Sequence, residues 1–185
     1  MKKILLIAAM ALVSAAGFAQ SKFAHVDLST IVQLMPEMDE ARATMNASSQ
    51  EAQETYQAMV EEFQTKYAQY QQKAATWTDT IRQSKEKELS DMDQRIQEFS
   101  QSIQQELSEQ QNALLAPIYQ KAQETIEKLA KEGGYMYVSD IQSFIYVDDT
   151  QSVDLTPAAR KALNIPEGRT LETLQAELQA QQNAQ

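Results

Sequence analysis

The sequence predicts a mainly α-helical protein with a small β body, in which one long antiparallel helical hairpin projects from a three-stranded oligomerisation body. Three observations carry this. Between Pro36 and Pro117 the chain runs for 80 residues with no glycine or proline and is packed with Ala, Gln, Glu, Lys, Met and Leu, the strong helix formers. Short runs of strand composition lie only outside that helical region, at residues 23–28, 135–139 and 144–147. Isolated strands are marginal in water, so segments separated by this much helix must meet, and the helix has to turn back. As a single rod the stretch would reach about 120 Å, and folded back about 60 Å, at about 1.5 Å per residue.

The chain begins Met1-Lys2-Lys3, continues in an apolar run from Ile4 to Val13, and reaches the small-residue segment Gly17-Phe18-Ala19. This is the layout of a secretory signal peptide, residues 1–19, with cleavage expected after Ala19. The run is shorter than the about 18 apolar residues of a spanning helix, and no later segment approaches that length, so a soluble mature protein without stable membrane insertion is expected. The absence of cysteine excludes disulfides and a lipid anchor on an acylated cysteine. Removing Lys2 and Lys3 leaves 14 basic against 26 acidic residues, a net charge of −12, which argues against a nucleic-acid partner. Residues 37–62 carry seven acidic residues and one base, Arg42, whereas residues 66–95 carry Lys66, Lys73, Arg82, Lys85, Lys87 and Arg95 against five acids. The middle of the arm is therefore slightly basic between acidic flanks.

In order along the chain, Phe23, Ala24, His25, Val26, Asp27 and Leu28 read as a strand, and Ser29 or Thr30 can cap a short helix that stops before Pro36. The outgoing arm carries Tyr56, Phe63, Tyr70 and Trp77 at seven-residue intervals beside a second series of Val60, Tyr67, Ala74 and Ile81, which makes one face strongly aromatic. Residues 76–80 are the poorest in helix formers and lie near the midpoint of the arm, which places the hairpin tip at residues 77–84. The returning arm shows Met92, Ile96, Phe99, Ile103, Leu107, Leu114, Ile118, Ala122, Ile126 and Leu129, with gaps of three, four and seven that drift from a strict heptad. Lys66, Lys73, Glu106 and Gln110 fall where a tight coiled coil would want Leu or Ile, so an uneven seam is expected, and Pro117 is expected to kink the returning arm near the body. Gly133 and Gly134 stop the helix, two further strands follow at residues 135–139 and 144–147, and Pro157 opens a short helix to Leu163. The resulting division is residues 20–36 with 133–163 as the body, 37–132 as the arm, and 164–185 as a C-terminal extension. In that extension Thr170 can cap a helix bearing Leu171, Leu174 and Leu178 on one face. A body this small is expected to be shared by several chains.

No catalytic or metal chemistry is legible. The single histidine, His25, has no cysteine or second histidine beside it, and a structural role is expected. Carboxylates fall at helix-surface spacings, and Asp148, Asp149 and Asp154 lack the spacing and glycine of a calcium loop. Neither an enzymatic role nor a cofactor is expected.

The signal peptide, the strand segment Phe23-Ala24-His25-Val26-Asp27-Leu28-Ser29, the long helical hairpin, and then Gly134-Tyr135-Met136-Tyr137-Val138-Ser139 and Val153-Asp154-Leu155-Thr156 together resemble the Skp/OmpH family of periplasmic chaperones, over residues 23–163. The resemblance implies a homotrimer with a β-rich trimerisation body and three arms enclosing a cavity. It implies an ATP-independent periplasmic holdase that binds unfolded outer-membrane proteins, with the outer-membrane assembly machinery as a further partner. Well-studied members have basic arms that attract acidic clients and lipopolysaccharide; here only residues 66–95 offer a counterpart. Body residues Phe23, Val26, Leu28, Tyr135, Tyr137, Val138, Phe144, Ile145 and Val147 are the oligomerisation candidates. Adaptable aromatic, aliphatic and methionine side chains suit many unfolded chains, and the client-binding candidates are Tyr56, Met59, Phe63, Tyr67, Tyr70, Trp77, Ile81, Met92, Ile96 and Phe99. The competing reading is a structural coiled-coil spacer or adaptor of an envelope complex.

Overall fold

The computed structural model describes residues 22–183, so the signal peptide expected at residues 1–19 lies outside the described residues. Strand β1, Lys22–Val26, leads into helix α1, Leu28–Leu34, and then into helix α2, Pro36–Lys73. A 3-10 turn, Ala74–Thr76, precedes helix α3, Asp79–Gly133, which runs back along α2. Strand β2, Tyr135–Asp140, and strand β3, Ser152–Asp154, complete the sheet, followed by helices α4, Thr156–Ala162, and α5, Leu171–Gln182.

Local chemistry sets each boundary. The Asp27 side chain accepts from the Thr30 backbone N–H at 2.9 Å and from its hydroxyl at 2.7 Å, a cap that opens α1. Met35 is extended at φ −62°, ψ 140°, as a residue before proline prefers, and Pro36 takes the first turn of α2, where its missing N–H is not needed. The tip turns at residues 74–78, a few residues before the expected centre. Ala74 and Ala75 are good helix formers, so composition does not mark the break; the cap does. The Thr78 hydroxyl accepts from the Ile81 N–H and starts α3 there. Helix α3 continues through Pro117 and ends at Gly134, which adopts the left-handed region at φ 66° that glycine enters without a Cβ clash.

The sheet has the order β2-β1-β3 with both pairings parallel. Parallel neighbours need a crossover, and the whole hairpin is the crossover from β1 to β2. A second crossover must carry the chain from the end of β2 to the start of β3, and residues 141–151 serve it. This corrects the expected strand at residues 144–147: Phe144, Ile145 and Val147 lie in the crossover, and the third strand is Ser152–Asp154. Asp140 caps the turn at Ile141–Ser143 through the Gln142 N–H at 3.1 Å, and Asp148 accepts from the Thr150 N–H and hydroxyl at 2.9 and 2.6 Å. The stretch between these turns is left outside the ladder.

The core sits where α1 meets the roots of α2 and α3. Ile31, Val32, Leu34 and Met35 are almost wholly buried and pack with Met38 and Ala41 of α2, Ile118, Ala122 and Ile126 of α3, Ala159 of α4, Leu163 just after it, and Leu174 of α5. His25 is buried in the central strand, its Nδ1 2.9 Å from the Ser152 hydroxyl, so it ties β1 to β3.

Candidate functional site

Two surfaces stand out, one along the arm and one on the body. Along the arm, Lys66 and Gln110, two of the polar residues that interrupt the apolar stripe, find partners on the opposite helix. The Ser48 hydroxyl accepts from the Gln110 amide at 2.9 Å, the Tyr70 hydroxyl donates to Glu86 at 2.6 Å, and Lys66 pairs with Glu88. Nearer the body Lys121 pairs with Glu37. Every pair straddles Thr78 almost symmetrically, so these contacts hold one antiparallel register from root to tip. Lys66 and Lys85 hold the Glu88 carboxyl down to about 2, first through their hydrogen bonds and then through their charge, and Lys121 lowers Glu37 in the same way.

Between these polar rungs the aromatic side chains are only partly absorbed. Tyr56, Tyr67 and Ile81 keep more than two fifths of their surface exposed. Phe63 stacks on Tyr67 with ring centroids 6.0 Å apart, and Tyr70 meets Trp77 at 6.0 Å and 59°. Met59, Phe63, Tyr70, Trp77, Ile96 and Phe99 are half-buried. Met92 is the exception: at 3% exposure it is enclosed in the seam, which removes it from the candidate contact surface.

On the body, Met136 and Tyr137 of β2, Ile141, Phe144, Ile145 and Tyr146 of the crossover, and Val153 of β3 are all exposed, Ile145 completely. Large apolar side chains left exposed in one part of a chain mark a candidate interaction surface. Phe23 lies beside Tyr137, ring centroids 4.8 Å apart, and Tyr135 and Val147 are half-buried. The candidates on the inner side behave differently. Val26 is buried in the chain's own core, and Leu28 and Val138 pack against that core, so Val26 is corrected to a core residue. Sequence reasoning singled out Tyr137, Phe144 and Ile145 and placed Met136, Tyr146 and Val153 within its body segments, but it passed over Ile141, which stands alone between polar neighbours.

Among the described residues, no cluster of His, Cys, Asp and Glu is gathered as for a metal ion, and no helix is long and apolar enough to cross a membrane. A shallow apolar hollow of about 360 Å³ opens between the sheet and the root of α3, lined by Val26, Leu28, Ile126, Ala130 and Val138.

The sequence profile of the OmpH-like outer membrane protein family matches residues 22–163, from β1 through the residue after α4. The chain belongs to the OmpH-like family. Its relatives include the chaperone protein Skp of Yersinia enterocolitica, 26% identical over 159 residues that cover 83% of this chain and 94% of that protein. The crystal structure of an OmpH-like protein of Caulobacter crescentus superposes with a TM-score of 0.68 at 15% identity, covering 80% of this chain and 86% of that one. The fold is thus the OmpH-like fold, a sheet joined across a long helical hairpin. The profile ends at Leu163, so helix α5 lies beyond the matched part.

Proposed function

We propose that this OmpH-like chain is a periplasmic, ATP-independent holdase that binds unfolded outer-membrane proteins and keeps them from aggregating. The observation that carries this reading is the arm: a long hairpin whose polar rungs fix its register while Tyr56, Tyr67 and Ile81 stay exposed and Phe63, Tyr70 and Trp77 stay half-exposed. Weak, adaptable contacts spread along such a surface tolerate many client sequences. The name of the Yersinia relative as a chaperone supports the same role. Apolar contacts also need no nucleotide to form.

The working unit is a homotrimer assembled on the body. The uncovered side chains at Met136, Tyr137, Phe144, Ile145 and Tyr146 are the surface on which copies of the chain meet, and the free edges of β2 and β3 offer unpaired backbone groups beside them. Three arms rising from one body bound a cavity into which their aromatic faces turn. The chain reaches the periplasm by its signal peptide, and it acts by binding with no bond made or broken in the client.

A binding assay separates this from an envelope spacer or adaptor. A holdase retains several unrelated urea-unfolded barrel proteins on size exclusion, at one client per trimer, and releases each once it folds into lipid. An adaptor ignores unfolded chains and binds one folded complex; that result would overturn the reading.

A further inference from the structure

The arm joins the body through two single-residue joints, Met35 before α2 and Gly134 after α3. The C-terminal extension lies across the first. Asn164 adopts the left-handed region at φ 57°, which asparagine tolerates better than most residues, and turns the chain back after α4. The Arg160 guanidinium then grips the Pro166 and Arg169 carbonyls at 3.3 and 2.5 Å. Thr170 and Thr173 form a reciprocal cap that starts α5. From this fixed start, Leu174 is buried in the core beside α1, while Arg169 reaches over the joint to Asp39 of α2, Nη2 to Oδ1 2.6 Å. Arg42 binds the same Asp39 carboxylate at 3.1 Å and the Gln33 carbonyl of α1 at 2.9 Å. Asp39 is therefore held by Arg169 of the extension and by Arg42 of its own helix, and Arg42 in turn spans the joint to the Gln33 carbonyl. Leu178 continues along α2 opposite Ala43 and Asn46.

We propose that the C-terminal segment is a brace that fixes the angle between the arm and the body, with Arg169 as the positioning residue that locks α2 and Leu174 as the anchor on α1. A helix packed on one element and ion-paired to the next opposes bending between them, because any swing at Met35 must break the half-buried ion pair or pull Leu174 from the core. In an assembly that encloses clients the brace limits how far the arms splay and so how wide the cavity opens. That consequence rests on the proposed function, but the angle itself is measured without any client.

The chain has no cysteine, so spin labels on Ala158→Cys of α4 and Gln64→Cys of α2, both exposed, report the angle directly when the labelled protein is diluted with unlabelled chains. The full chain should give one narrow distance distribution. Arg169→Gln and Leu174→Ala should each widen it at least twofold, with helicity retained, while Glu172→Gln on the exposed face of α5 leaves it unchanged. If Leu174→Ala loses helicity, Arg169→Gln alone decides. An unchanged width in Arg169→Gln, or a broad distribution in the unaltered chain, would overturn the brace.

Discussion

Lys66 on the outgoing helix is ion-paired with Glu88 on the returning one, and Lys85 binds the other carboxylate oxygen of Glu88 at 2.7 Å. Of the arm's cross-seam contacts, this pair and the Tyr70–Glu86 bond are nearest the tip, where little hydrophobic area is buried. Electrostatics therefore has more influence on the register there than at the root.

The Glu88 pair should make the tip pH-sensitive. Its carboxyl is lowered from 4.5 to about 2, so the folded state favours the ionised form. The stabilisation is fully present above pH 4.5 and is lost as pH falls from there toward 2. Trp77 fluorescence followed over that range should report a loosening of the tip that Glu88→Gln removes. Because the pair keeps about a third of each side chain in contact with solvent, raising salt should weaken the effect.

Trp77 touches Tyr70 yet remains half-exposed at a turn, where little of the chain is left to cover it. Trp77→Ala should weaken retention of an unfolded barrel protein several-fold with the helical signal unchanged. Equal retention at matched helicity would rule Trp77 out as a contact.

Ile145 and Tyr146 form the most exposed part of the body patch. Ile145→Asp with Tyr146→Ser should convert the proposed trimer to folded monomers in sedimentation velocity, since a charge placed in a desolvated interface opposes assembly. Continued trimers would move the assembly surface elsewhere.

Gly134 holds φ 66° and has no atom within 4 Å of an added Cβ, so Gly134→Ala should cost about 1–2 kcal/mol from backbone strain alone. Gly133 is different in kind: an added Cβ would run into the Tyr135 ring, so Gly133→Ala must displace the Tyr135 side chain at the start of β2. Thermal melts should show both losses, and only Gly133→Ala should alter the near-ultraviolet signal of the body tyrosines.

Much of this was legible in the sequence because helix formation over residues 36–133 is a local matter of composition and caps. The strand β2 and the cap at Thr170 follow from short-range rules in the same way, whereas α1 is capped by Asp27, one of the residues read as strand, and not by Ser29 or Thr30. The third strand was hidden because Ser152, Val153 and Asp154 have little strand character; they pair because β1 offers an open edge. Residues 144–147 misled for the converse reason: Phe144, Ile145 and Tyr146 are exposed and outside the ladder, and composition does not separate an apolar run that enters a sheet from one left at the surface. Met92 and Tyr67 occupy similar apolar stripes, yet one is enclosed and the other exposed, a distinction set by the rotation of each helix and not by spacing.

The central claim, that exposed arm surface on a trimer holds unfolded chains, is tested most directly by diluting a urea-unfolded outer-membrane barrel protein into buffer with increasing amounts of a chain comprising residues 20–185 and following light scattering. The account predicts suppression that saturates near three chains per client. No suppression at any ratio, with the protein helical and trimeric, would contradict it.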